Sequence, residues 1–186
     1  MAVLITDNPF AGAIERAKKN NIEYVVLDPA EFGSRDTFYG KVSDELRKRN
    51  TELVVLAGFM RIVGKPLIDA FPNRIMNIHP AILPSFPGLH GQRQAVDYGM
   101  KISGCTVHFV DEGVDTGPII IQAAVPVYHH DTEETLSERI LEMEHKIYPE
   151  AIRLFSEGRL QVHGRVVRIT DSANTDQSIV NPPARA

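Results

Sequence analysis

The strongest constraint on this chain is an alternation. Short apolar runs suited to buried strands are separated by stretches whose apolar residues recur at helical spacing. The runs include Ala2 to Ile5, Tyr24 to Leu27, Leu53 to Ala57 and the segment ending Ile75-Met76. Between them, Phe38, Val42 and Leu46 recur four apart and share one helix face. Leu53 to Ala57 is nearly all apolar, as a strand covered on both faces requires. Strands alternating with helices predict an α/β fold of three layers, a mostly parallel sheet with helices on both faces. Ligands bind beyond the carboxyl ends of the strands in such sheets. The ends of the apolar runs are therefore where chemistry is expected.

Boundary residues refine the pattern. Asp28-Pro29 stops the second run, and Ser34 precedes the next helix. Asp131, with Glu134 three residues on, reads as the cap of a long helix with an inner stripe of Leu136, Ile140, Met143 and Ile147. Pro149 should kink or split that helix, and Gly158 should end it. Val162 and Val166-Val167 suggest a terminal hairpin. Residues 170–186 carry little apolar content and read as a disordered tail.

Composition narrows the function classes. The 186 residues fit one domain, 43% of them are hydrophobic, and the formal net charge is −4. That balance gives no global support to nucleic-acid binding. Cys105 is the one cysteine, so no internal disulfide forms, and its place in an apolar run predicts a buried structural thiol. No apolar run reaches membrane-spanning length and no leader segment is visible, so the cytoplasm is the expected location.

One polar cluster stands out. Asn77-Ile78-His79-Pro80 ends an apolar run, and a loop through Pro84, Pro87 and Gly88 follows. Asp111, Glu112 and Asp115 lie in a second loop closed by Gly117. In an extended segment Asn77 and His79 point to one side and Ile78 to the other. An amide N–H can face a developing oxyanion, an imidazole can carry a proton, and a carboxylate near it can hold the ring cationic. These are the parts of an acyl-transfer site. The plainer reading is an Asx turn and a surface histidine. Crowded carboxylates are expected to raise one another's pKa. A zinc set of His79, His90 and His108 fits no structural spacing, so no metal is expected. Arg35, at a helix start, could meet an anion or simply be solvated. Met60 and Arg61 could line a ring pocket, and Glu144 could be an ordinary helix carboxylate.

Several segments resemble the folate-dependent formyltransferases. They are Leu56-Ala57-Gly58-Phe59-Met60-Arg61, Asn77-Ile78-His79-Pro80, Leu83-Pro84, Phe86-Pro87-Gly88-Leu89-His90, the loop from Gly104 to Pro118, and Glu144-His145 with Tyr148-Pro149. The resemblance spans roughly residues 2 to 168. It implies a Rossmann-like fold and transfer of a formyl group from 10-formyltetrahydrofolate, as cosubstrate, to the amine of glycinamide ribonucleotide in purine biosynthesis. It implies that Asn77 and His79 stabilise the oxyanion and that Asp115 fixes and charges His79. It places the folate against Met60, Arg61, Ile62, Asp111 and Val114, the substrate phosphate on Arg35, and the substrate amine on Glu144. It implies no metal, no nucleic acid and no membrane, and either a monomer or a homodimer. Alternatives within reach are a non-catalytic folate- or nucleotide-binding protein, a formyltetrahydrofolate hydrolase, and a transfer RNA formyltransferase relative.

The resemblance also sets an expectation for the start of the chain. Family members open with a strand, a glycine-rich loop and a helix, whereas Met1 to Ile5 aligns with their second strand. The expectation is therefore a catalytic domain, residues 1–169, that lacks the N-terminal strand, loop and first helix, with a misplaced start favoured over a separate polypeptide that supplies the piece or a relic of weak or no activity.

Overall fold

The structure is a computed structural model that describes residues 1–171 and 181. The chain divides into two compact units. The first takes Met1–Val54 with Arg61–Arg74, and the second takes Val55–Met60 with the chain from Ile75 onward.

In the first unit, strand β1 (Leu4–Thr6) pairs in parallel with β2 (Tyr24–Val26), Leu4 facing Tyr24 in register. Helix α1 (Gly12–Lys19) connects them and turns Ile14 and Ala17 inward. The expectation of a missing first strand and helix is thereby overturned, since the chain opens with β1 and α1. The link between them is tied by short polar bonds. Asn8 N–H donates to Thr6 Oγ1, and Phe10 N–H donates to Asn8 Oδ1. Asp28 accepts from Ala30 N–H and caps a 3₁₀ turn led by Pro29.

Ser34 caps helix α2 (Arg35–Arg47) through a reciprocal box with Thr37. Phe38, Val42 and Leu46 are its buried stripe, as their spacing requires. Helix α3 (Lys65–Ala70) packs on α2. The fit there is close, because a Cβ on Gly64 would overlap the Tyr39 ring.

The second unit is built on a sheet of order β3-β4-β5-β6-β8-β7. β3 (Val54–Val55) begins in the first unit and crosses into this one. The others are β4 (Ile75–His79), β5 (Ile102–Phe109), β6 (Ile119–Pro126), β7 (Leu160–His163) and β8 (Val166–Ile169). The sheet is mixed, which corrects the mostly parallel expectation. β4 and β5 are antiparallel, as are β5 and β6 and also β7 and β8, whereas β6 and β8 are parallel. The reason is local. β5 and β6 are joined by the short loop from Val110 to Pro118, too short for a helical crossover, so the chain must return antiparallel.

Helix α5 (Glu133–Ser156) packs on β5 and β6, with Leu136 and Ile140 fully buried. Its cap is Thr132 in a box with Thr135, not Asp131. Asp131 instead accepts from Tyr128 N–H and Thr135 Oγ1 and receives the Arg139 fork. Pro149 lies inside α5, which runs through as one helix, so the expected split does not occur. Gly158 follows the helix end with φ 69°, a backbone state that glycine adopts at low cost. The terminal hairpin forms from β7 and β8. Most of the tail expected to be disordered lies outside the described residues. Among the described residues, no helix is long and apolar enough to cross a membrane.

Candidate functional site

The site is specified by strand alternation. Antiparallel pairing of β4 with β5 sets Asn77 opposite His108 and His79 opposite Thr106. Directly opposed residues share a sheet face, so all four polar side chains lie on one side. Val107, between Thr106 and His108 in β5, and Cys105, just before Thr106, take the other side and are fully buried.

Thr106 anchors the loop that follows His79. Its hydroxyl donates to Ala81 O at 2.7 Å and accepts from Leu83 N–H at 3.1 Å. Gln122 on β6 donates to that hydroxyl at 3.0 Å and to Leu83 O at 2.9 Å. Every bond is made next to apolar surface, where an unpaired group would be costly. The loop is thereby fixed at its start and returns over the site at Phe86 and Gly88.

His79 is 3% exposed, and both of its ring nitrogens face acceptors. Nε2 lies 2.8 Å from Phe86 O, and Nδ1 lies 3.3 Å from Asp115 Oδ2. A carbonyl can only accept, so Nε2 carries hydrogen. Asp115 Oδ2 also accepts Gly88 N–H at 2.8 Å. Burial pushes the Asp115 carboxyl up, but the His108 bond, the Gly88 N–H and the charges of His79 and His108 outweigh it and hold the group below the usual carboxylate range. Crowding with Asp111 and Glu112 therefore does not raise it, contrary to expectation. Both ring nitrogens of His79 are thus placed to donate, one to the Phe86 carbonyl and one to the Asp115 carboxylate.

The loop carrying Asp115 is shaped from within. Asp111 Oδ1 accepts Thr116 Oγ1 at 2.6 Å and Gly113 N–H at 3.1 Å. Gly117 packs so closely on Phe109 O that a Cβ would sit 1.8 Å from it. Asp115 itself has φ 53°, a left-handed state that aspartate adopts more readily than most residues. Val114 beside it is 48% exposed, which leaves apolar surface next to the polar cluster.

The other candidates are distributed. Met60, in the second unit, is 81% exposed. Glu144 on α5 is half-buried, and burial raises its pKa, partly offset by His145. In the first unit, Arg35, Arg61 and Ile62 line one cavity of about 500 Å³ with Phe32, Phe38 and Tyr39. Arg61 Nε also bonds Asp7 Oδ2 at 2.9 Å. His90 stands apart from the cluster, with Nδ1 3.8 Å from Glu133 Oε1. Among the described residues, no group of three or more histidine, cysteine, aspartate or glutamate side chains is placed to hold a metal ion.

Sequence reasoning missed His108, Thr106 and Gln122 as parts of the site. A signal for two of them was present. Thr106 and His108 alternate with Cys105, Val107 and Phe109, and that period marks a polar face within an apolar strand.

Residues 1–152 match the family model described as formyl transferase. The phosphoribosylglycinamide formyltransferase of Bacillus subtilis (strain 168) is 44% identical over 152 residues, covering 82% of this chain and 78% of the relative. The trifunctional purine biosynthetic protein adenosine-3 of Drosophila melanogaster is 42% identical over 158 residues, or 85% of this chain, which spans only 12% of that longer protein. The crystal structure of glycinamide ribonucleotide transformylase 1 from Symbiobacterium toebii superposes with a TM-score of 0.90 at 55% identity, covering 92% of this chain and 81% of that one. The paired Asn77 and His79, the Asp115 loop and these likenesses agree, and the chain belongs to the formyl transferase family.

Proposed function

We propose that this chain is a phosphoribosylglycinamide formyltransferase. It moves a formyl group from 10-formyltetrahydrofolate to the amine of glycinamide ribonucleotide in purine biosynthesis, with residues 1–169 carrying the catalysis. The observation that carries the reading is the buried His79, held between Asp115 Oδ2 and Phe86 O beside Asn77.

Attack of the amine nitrogen on the formyl carbon turns the formyl oxygen into an oxyanion. His79 Nε2–H turns from the Phe86 carbonyl to that oxygen, and an Asn77 Nδ2–H donates to it as well. Donors aimed at developing charge account for a large part of such catalysis. Asp115 stays ionised and sustains the positive charge on His79. Because its carboxyl is held low rather than raised, it is a counter-charge first and a weak base second. The amine proton leaves through water beside Asp115 and reaches the departing folate nitrogen as the tetrahedral adduct collapses. Glu144 receives the amine end of the acceptor and Arg35 its phosphate. Met60, Arg61 and Ile62 bear on the folate ring together with Val114 and Asp111. The exposed apolar side chains of Met60, Ile62 and Val114 support that assignment. The donor is a cosubstrate, and no step calls for a metal. A cytoplasmic enzyme, monomeric or homodimeric and without a nucleic-acid partner, accords with the single buried thiol and the formal net charge of −4.

The purified chain is to be incubated with both substrates and the formylated product followed. Turnover is expected, with losses of at least about tenfold in both His79→Ala and Asp115→Ala. Binding of folate without product would instead favour a non-catalytic binding protein. Release of free formate without the acceptor would favour a hydrolase.

A further inference from the structure

In the reading above Met60 bears on the folate ring. The segment that delivers it, residues 56–60, leaves the sheet just after β3, a strand of two residues. Its surroundings are open, since Val55 and Met60 are both exposed. Its root is fixed from a distant helix. Tyr148 on α5 sets its hydroxyl 2.6 Å from Leu56 O and 3.0 Å from Met76 O. Both are carbonyls, which only accept, so the single phenol hydrogen is drawn to the nearer, Leu56 O. Leu56 N–H in turn donates to Met76 O at 2.9 Å. Burial holds the Tyr148 phenol well above the usual tyrosine range, so the donor keeps its hydrogen.

We propose that Tyr148 is a positioning residue for the formyl donor, whose hydroxyl fixes the Leu56 carbonyl and so holds residues 57–60 ready for the folate before it arrives. The role rests on the formyltransferase reading above.

The physical case is one of preorganisation. A segment that is ordered only by its ligand loses affinity by the cost of that ordering, and a tie already present in the free protein removes part of it. Three parts of the site meet at this phenol. Leu56 begins the folate segment, Met76 directly precedes Asn77, and Glu144 lies one turn before Tyr148 on the same face of α5. Only one of the three depends on the hydroxyl. β4 is held by its pairing with β5, where Met76 stands opposite Phe109, both fully buried. α5 is held by the buried Leu136, Ile140 and Ala151. Asn77 and Glu144 therefore keep their places when the hydroxyl is removed. Leu56 O loses its donor, and the residues after it lose a restraint. The effect falls on affinity for the formyl donor, not on the acceptor or the chemical step.

The test is steady-state formyl transfer by the full chain, with each substrate varied in turn. Tyr148→Phe keeps the ring and removes only the hydroxyl. It is expected to raise KM for 10-formyltetrahydrofolate about fivefold, the worth of one typical hydrogen bond, while kcat and KM for glycinamide ribonucleotide stay within about twofold. Equilibrium binding of 10-formyltetrahydrofolate without the acceptor is expected to weaken by the same factor. An unchanged donor KM in the folded variant would overturn the role. So would equal rises in both KM values or a fall in kcat alone, which a merely structural tyrosine would produce. Should Tyr148→Phe fail to fold, hydrogen exchange at the Leu56 amide of the unaltered chain decides. Protection in the free protein is expected, and protection gained only when 10-formyltetrahydrofolate is added would overturn the preorganised tie. If the unaltered chain forms no product, the formyltransferase reading itself falls and this role with it.

Discussion

Asp115 Oδ2 meets His79 Nδ1 at 3.3 Å and holds Gly88 N–H at 2.8 Å with the same oxygen. One atom thus joins the imidazole on β4 to the loop that covers it. The carboxylate does so from a left-handed backbone position, φ 53°, where most side chains are disfavoured. Asp115→Asn should preserve the shape and the Gly88 contact but remove the negative charge beside His79 Nδ1. We expect kcat to fall about 10- to 100-fold with little change in thermal stability, measured by steady-state kinetics beside a melting curve. Retained kcat in the folded variant would refute the counter-charge role.

Acid should separate Asp131 from its neighbours. Two bonds from the Arg139 fork, at 2.7 and 2.8 Å, hold the Asp131 carboxyl far below the usual range against the opposing effect of burial. Because the folded-state pKa is depressed, the stabilisation is present above the unfolded value of about 3.9 and is lost as pH falls through the folded value. Asp131→Asn should therefore cost about 1–3 kcal/mol near pH 7, and the gap to the unaltered protein should shrink as the medium is acidified below about pH 4. Urea midpoints across that range are the measurement. A gap that widens in acid would show that the sign is wrong.

Thr106 tests the anchoring of the loop. Thr106→Val leaves Leu83 N–H and Ala81 O without their partner in the interior and should cost about 2–4 kcal/mol. Thr106→Ser keeps the hydroxyl and should cost about 1 kcal/mol. Denaturant unfolding of the pair decides it, since a loss in Thr106→Val no larger than that in Thr106→Ser would contradict the anchoring role of the hydroxyl.

Gly117→Ala places a Cβ about 1.8 Å from Phe109 O. The oxygen belongs to the backbone of β5 and cannot swing aside, so the loop or the strand must shift. A loss of about 3 kcal/mol is expected, together with weakened formyl transfer because Asp115 rides on the same loop. Unfolding midpoints equal to those of the unaltered protein would contradict the contact.

Cys105 should be chemically silent. Burial, reinforced by the nearby Glu144 charge, pushes its thiol up to about 12. A thiol-specific reagent at about pH 8 should label the native protein no faster than it unfolds, and label it fully in denaturant. Rapid native labelling would place the thiol at the surface.

What could be read from the sequence was the period of each segment. The stripe of Phe38, Val42 and Leu46, the cap at Ser34 and the stop at Gly158 each depend on residues close in the chain, and the fold uses them as read. Asn77 and His79 were legible for the same reason. Strand direction was not legible, because apolar composition is alike in parallel and antiparallel strands that are buried on both faces. The presence of β1 and α1 was misjudged by matching the opening residues to a later family strand, although Ala2 to Ile5 already carried the strand pattern. His108 was missed because its place opposite Asn77 depends on strand register, a long-range pairing invisible in either segment alone. The direction of the Asp115 shift was missed for a related cause. Its neighbours in sequence are carboxylates, but its neighbours in space are two imidazoles and an N–H.

The pairing of β4 with β5 has a consequence for how such a site can change over time. Which residues of β5 face Asn77 and His79 is a matter of odd and even position. Loss of a single residue between Thr106 and the start of β5, with the pairing otherwise kept, would leave the polar face intact, whereas loss of Val107 would exchange parity at one end and bring an apolar side chain against Asn77 or His79. The strand therefore behaves as a short reading frame. Point substitutions at Cys105 or Val107 alter only packing, while the loss of Val107 rewrites the site.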